Sequence, residues 1–179
     1  CGVDAVKFQT FRTELYVDSA DVVRFQRLKS FELTFNGFEQ LSNLAHSLGL
    51  LFISTPFDLQ SAASINSIVD AYKIASGDNT FWPLLNQVAG TGKPLIISAG
   101  LSNLEHVKQI INYVRRVWLE QQVAGEMVIL HCVSSYPVPP DQVNIRAIPL
   151  LADELDVKVG YSDHSLGIDD CVLAAAVGA

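Results

Sequence analysis

Six short apolar runs recur along the chain, and each stops at small polar residues before a helical pattern or loop takes over. That alternation constrains the fold more than any other feature. Apolar runs that are continuous rather than alternating are strands buried on both faces, and strands interleaved with helices build parallel sheets. The plainest case is Val128-Ile129-Leu130, which stops at His131 and breaks into a proline-rich loop ending at Pro140. In a parallel α/β fold the carboxyl ends of the strands are where chemistry is kept. A second histidine, His164, ends the next strand pattern in Gly160-Tyr161-Ser162-Asp163-His164.

Taken in order, the spacing predicts a β-rich segment over 3–10 and a long loop with at most a helical turn over 11–29. A helix follows on Phe38, Leu41, Leu44, Ala45 and Leu48, with Thr34 as its cap and Gly49 as its stop. Strands are predicted over 50–53, 71–75, 94–97, 128–130 and 157–161. Asp58 caps a helix through Ala62, Ile65 and Ile68. A short helix over 82–89 tolerates Pro83 in its first turn and ends at Gly90-Thr91-Gly92. Ser102 and Glu105 have capping-box spacing ahead of the clearest amphipathic pattern, Val107 to Trp118. Further helices are predicted over 143–155 and 168–176.

Six sequential βα units fit a doubly wound sheet or a (β/α)8 barrel. No GxGxxG or GxxxxGK[ST] loop follows the first strand, and small polar residues end every strand, as at a barrel rim. A barrel takes about 250 residues, so 179 residues are read as a single-domain piece of an α/β TIM barrel covering its strands 2–7, cut at both ends. The net charge of −7 and the absence of a basic run argue against nucleic acid as partner. No apolar stretch approaches the roughly 18 residues of a membrane span, and the start shows no secretory leader. Three cysteines without a CxxC pair suggest reduced thiols and a cytoplasmic setting. In such an acidic chain a small anionic substrate needs its own local lysines.

The stretches Lys7-Phe8-Gln9-Thr10, Ser54-Thr55-Pro56-Phe57, Tyr72 to Gly77, Lys93 to Ser98, His131 to Pro137 and Gly160 to His164 resemble, in one register, the successive rim motifs of the sialic acid synthase family. That resemblance implies a transferase condensing phosphoenolpyruvate with an N-acylated amino sugar such as N-acetylmannosamine, giving a nonulosonic acid and phosphate. A histidine ending a buried strand is more often a hydrogen-bonded rim residue than a ligand. The resemblance nevertheless implies that His131 and His164 bind a divalent metal, manganese first and magnesium as the alternative, acting as a Lewis acid. Lys7 and Lys73, costly to bury unpaired, match the lysines that hold phosphoenolpyruvate, helped by Thr55, Ser76 and Ser98. Gln9, Ser134 and Tyr136 are expected to face the substrates. Asp78 stands where the family commonly has glutamate, which suggests a different acceptor. Asp163 is expected to serve the site as a catalytic carboxylate, orienting the neighbouring imidazole or accepting from a metal-bound water, and is otherwise a helix cap. Cys132 is read as packing.

The resemblance further implies that the first strand, with its proton-handling glutamate, the eighth strand and a C-terminal antifreeze-like domain are missing here. The full-length protein is then expected to be a homodimeric synthase and the 179 residues alone inactive. Another metal-dependent keto-deoxy sugar acid synthase or aldolase, and a non-catalytic relative on the same barrel, stay open as alternatives.

Overall fold

The computed structural model describes residues 2–179, so Cys1 lies outside the described residues. Six parallel strands form one sheet in sequential order: β1 (Ala5–Thr10), β2 (Leu51–Pro56), β3 (Ala71–Ile74), β4 (Leu95–Ser98), β5 (Met127–His131) and β6 (Lys158–Tyr161). Each strand pairs only with its sequence neighbours, which is the connectivity of consecutive βα units in a (β/α)8 barrel. The described sheet is open, with β1 and β6 as its edges.

Local chemistry explains where the helices start and stop. Thr34 caps α3 (Phe35–Ser47) by accepting from the Gly37 N–H, and Gly49 follows its end at φ +73°. Asp58 caps α4 (Leu59–Ile65) through the Ser61 N–H at 2.7 Å. The predicted short helix is α5 (Trp82–Ala89), bounded by Pro83 in its first turn and by Gly90. α6 (Leu104–Gln121) buries Val107, Ile110, Ile111, Val114 and Val117 on one stripe, worth about 1.5–3 kcal/mol each. α7 (Ala147–Glu154) and α8 (Asp169–Ala176) complete the chain.

Three expectations change. The predicted loop over 11–29 contains α1 (Thr13–Tyr16) and α2 (Val22–Lys29), the latter capped by Asp21. No residue of α2 is buried, so it leaves no apolar stripe to read. The cap of α6 is Asn103, which accepts from the His106 N–H at 2.9 Å, not Ser102. The helix expected over 143–155 begins only at Ala147, after Val143 and Asn144 have served the loop.

The core lies between the sheet and its helices. Phe52, Tyr72, Ile74, Leu95, Ile97 and Ile129 point into it and pack against the α4, α5 and α6 stripes. No described helix is long and apolar enough to cross a membrane.

Candidate active site

Because strand side chains alternate, the sequence neighbours of those core residues face the barrel axis. Lys7 and Gln9 on β1, Thr55 on β2, Lys73 on β3 and Ser98 on β4 meet there in a cavity of about 560 Å³. The loops beyond the strands add Ser76, Ser134, Tyr136, Asp163 and His164 to its wall. Ten of the twelve residues expected from the sequence are thus in one place.

The two lysines are the electrostatic centre. Lys73 Nζ donates to Ser162 Oγ at 3.3 Å. The lysine ion pairs among the described residues involve Lys29, Lys108 and Lys158, not Lys7 or Lys73. Burial pushes the Lys7 ammonium below its usual pKa, and burial together with the nearby Lys7 charge does the same to Lys73. The Thr55 hydroxyl in the same wall is buried without a hydrogen-bond partner. An anion with several acceptor oxygens answers all three needs at once.

Gly100 forms part of the support beneath this cavity. A Cβ there would lie 2.6 Å from the Ser134 and Ser76 hydroxyls and 2.8 Å from Cys132 Sγ, so only glycine allows this approach. Cys132 is buried, and its sulfur sits 3.0 Å from Ser76 Oγ rather than in the helix-side core.

His131 and Asp78 are not brought to the lysine cavity. His131 has the strand parity of Met127 and Ile129, so its ring turns to the helix side. There it lines a second cavity of about 760 Å³ and stacks on Tyr161 at 5.8 Å. Its Nε2 lies 2.9 Å from the Val143 carbonyl; a carbonyl only accepts, so that nitrogen carries the proton and fastens the β5–α7 loop. His164 does face the lysine cavity. Its Nδ1–H donates to the Val133 carbonyl at 2.8 Å, which leaves Nε2 as a free lone pair, and the Tyr136 ring packs on it at 4.1 Å. The expected two-histidine metal pair therefore does not converge, and no cluster of three or more metal-ligating side chains occurs among the described residues.

Asp163 accepts from the Tyr161 hydroxyl, the Ser165 N–H and the Cys171 thiol. Partial burial pushes its carboxyl up, but these donors outweigh it and hold the pKa at about 2. These three bonds anchor the loop that follows β6. Asp78 lies in a single 3-10 turn, Ser76–Asp78, where burial raises its carboxyl. The sequence reading missed Ser162, although its parity with Gly160 points it toward the axis. It also missed Asn79, whose buried Nδ2 donates to the Ser98 and Gly100 carbonyls and to Ser102 Oγ.

A model of the NeuB family matches residues 1–179. The chain belongs to the NeuB family. Among NeuB-family relatives, it is 42% identical over 180 residues to an uncharacterized protein of Methanocaldococcus jannaschii, covering 100% of this chain and 52% of that protein. It is 39% identical over 192 residues to the N,N'-diacetyllegionaminic acid synthase of Legionella pneumophila, covering 99% and 54%. The crystal structure of the N-acetylneuraminic acid synthetase of Leptospira borgpetersenii superposes with a TM-score of 0.89 at 30% identity, over 98% of this chain and 60% of that one. The chain spans about half the length of the curated relatives it matches. Those with a named activity include synthases of legionaminic, sialic and pseudaminic acids or their phosphates.

Proposed function

We propose that the protein carrying this NeuB-family chain condenses phosphoenolpyruvate with an N-acylated amino sugar, giving a nonulosonic acid and inorganic phosphate. The observation that carries this reading is the pair Lys7 and Lys73, sharing one cavity and making no ion pair with a carboxylate among the described residues. Phosphoenolpyruvate brings a phosphate and a carboxylate on a three-carbon frame. Its charges relieve the repulsion between the ammonium groups, and its oxygens accept from Thr55, Ser76, Ser98 and Ser162. Gln9 and Tyr136 face the space left for the sugar.

In the reaction the methylene carbon of phosphoenolpyruvate attacks the aldehyde carbon of the open-chain sugar, and the aldehyde oxygen takes a proton. Water captures the cation left on the neighbouring carbon, which bears the phosphate oxygen, and gives up a proton. The resulting hemiketal phosphate breaks its carbon–oxygen bond, leaving a ketone and free phosphate. The lysines hold charge already present on the substrate, so they act mainly on binding. Asp78 does not line this cavity, so no proton transfer is assigned to it. A bound divalent ion, manganese or magnesium, would supply Lewis-acid polarisation of the aldehyde oxygen. For that ion this cavity offers one imidazole nitrogen, His164 Nε2, and His131 is not placed to share it.

The test is phosphate release from phosphoenolpyruvate labelled with oxygen-18 at the bridging position, with N-acetylmannosamine and its analogues as acceptors. Sugar-dependent release of labelled phosphate supports the reading. Release that ignores the sugar, or label retained in the sugar acid, refutes it.

A further inference from the structure

Leu101 is the least comfortable residue of the rim. It is a non-glycine residue at φ +60°, the left-handed region that a leucine rarely adopts, and the residue is 78% exposed. An apolar group kept in a strained conformation without packing contributes nothing to folding. The conformation is nevertheless imposed, because Asn79 holds the Gly100 carbonyl on one side of Leu101 and the Ser102 hydroxyl on the other.

The place to which this brings Leu101 is specific. Leu101 and Ser134 are the two residues that line both the lysine cavity and the neighbouring 760 Å³ cavity. That second cavity has an apolar side made by Leu104, Leu150 and Leu151 and a polar side that includes Ser134, Gln142 and the cationic Arg146, with no Asp or Glu among the described residues of its wall. An acylamino group has the matching chemistry: a short apolar end beside an amide that donates and accepts hydrogen bonds.

We infer that Leu101 is a specificity-determining contact, and that the second cavity receives the N-acyl end of the acceptor while its aldehyde lies in the lysine cavity. This rests on the condensation proposed above. Asn79 is then a positioning residue, acting only through the loop that it clamps.

The experiment compares kcat/KM for N-acetyl- and N-butanoyl-mannosamine in the protein carrying this chain, as wild type and as Leu101→Ala, Leu101→Gly and Leu101→Met. Leu101→Ala and Leu101→Gly should change the ratio of the two values by roughly tenfold, the scale of a few methylene contacts. Leu101→Met should restore it, and KM for phosphoenolpyruvate should stay within about twofold of wild type. The melting temperature of Leu101→Gly should equal or exceed that of wild type, since glycine accepts the φ at no cost. An active enzyme whose acceptor ratio is unmoved by both truncations, or whose phosphoenolpyruvate KM moves in step with the ratio, overturns the inference alone. A wild-type protein that turns over no amino sugar overturns the condensation proposal, and this inference with it.

Discussion

Replacing Asn79 by alanine should be among the most costly single changes at the rim, although Asn79 touches no substrate in this account. Its Nδ2 lies 3.1 Å from the Ser98 carbonyl, 3.3 Å from the Gly100 carbonyl and 3.0 Å from Ser102 Oγ, and the residue is 3% exposed. An amide nitrogen has two hydrogens, so two bonds can be strong at once. Losing each costs about 1–1.5 kcal/mol with the acceptor left buried, and the vacated volume adds to that. The sum is about 2–4 kcal/mol. For a domain of this size it corresponds to a fall in melting temperature of about 4–16 °C. Urea unfolding followed by circular dichroism would read it as a lower midpoint at unchanged slope. The clamp also predicts coupling: in an Asn79→Ala background, Leu101→Gly should no longer stabilise, because a released loop can relax Leu101 by itself. A loss below about 0.5 kcal/mol, or strictly additive effects of the two changes, would show that Asn79 does not hold the loop.

The lowered pKa values of Lys7 and Lys73 set the sign of a pH effect. The anion needs both ammonium groups, so its affinity should be full at neutral pH and fall as pH rises through the lowered values, below the ordinary 10.5. KM for phosphoenolpyruvate measured toward alkaline pH should show this limb, and Lys73→Arg should move it upward. Gly100→Ala should push Ser76, Ser134 and Cys132 outward, costing about 1–3 kcal/mol of stability and lowering kcat/KM by about a hundredfold. The two histidines should separate: His164→Ala should weaken manganese affinity, read by electron paramagnetic resonance, whereas His131→Ala should leave it unchanged and lower thermal stability by freeing the Val143 carbonyl.

The barrel architecture was legible because its punctuation is chemical. Pro83 and Gly90 bracket α5, Asp58 caps α4 and Thr34 caps α3, each through a backbone requirement that sequence displays directly. α2 was not legible, since Val22 and Val23 are both exposed and no buried face imposes a period on it. At the site, Lys7, Gln9, Thr55, Lys73 and Ser98 could be found because polar residues at strand ends, out of phase with the core positions, must face the axis. His131 misled because a histidine at the last strand position can fall on either side, and here it keeps the parity of Ile129. Cys132 was taken for packing, but its own parity turns its sulfur to Ser76. The strain at Leu101 had no sequence signal, since it depends on the conformation that Asn79 imposes from 22 positions away.

The central claim is that Lys7 and Lys73 form the phosphoenolpyruvate site. Isothermal titration of phosphoenolpyruvate into the protein carrying this chain, without acceptor sugar, tests it against Lys7→Met and Lys73→Met. Each variant should bind about 10- to 150-fold more weakly, the equivalent of one lost charge-assisted contact of about 1.5–3 kcal/mol. Folding should be unharmed, because each change removes an unpaired charge. Wild-type affinity retained in both folded variants would contradict the account.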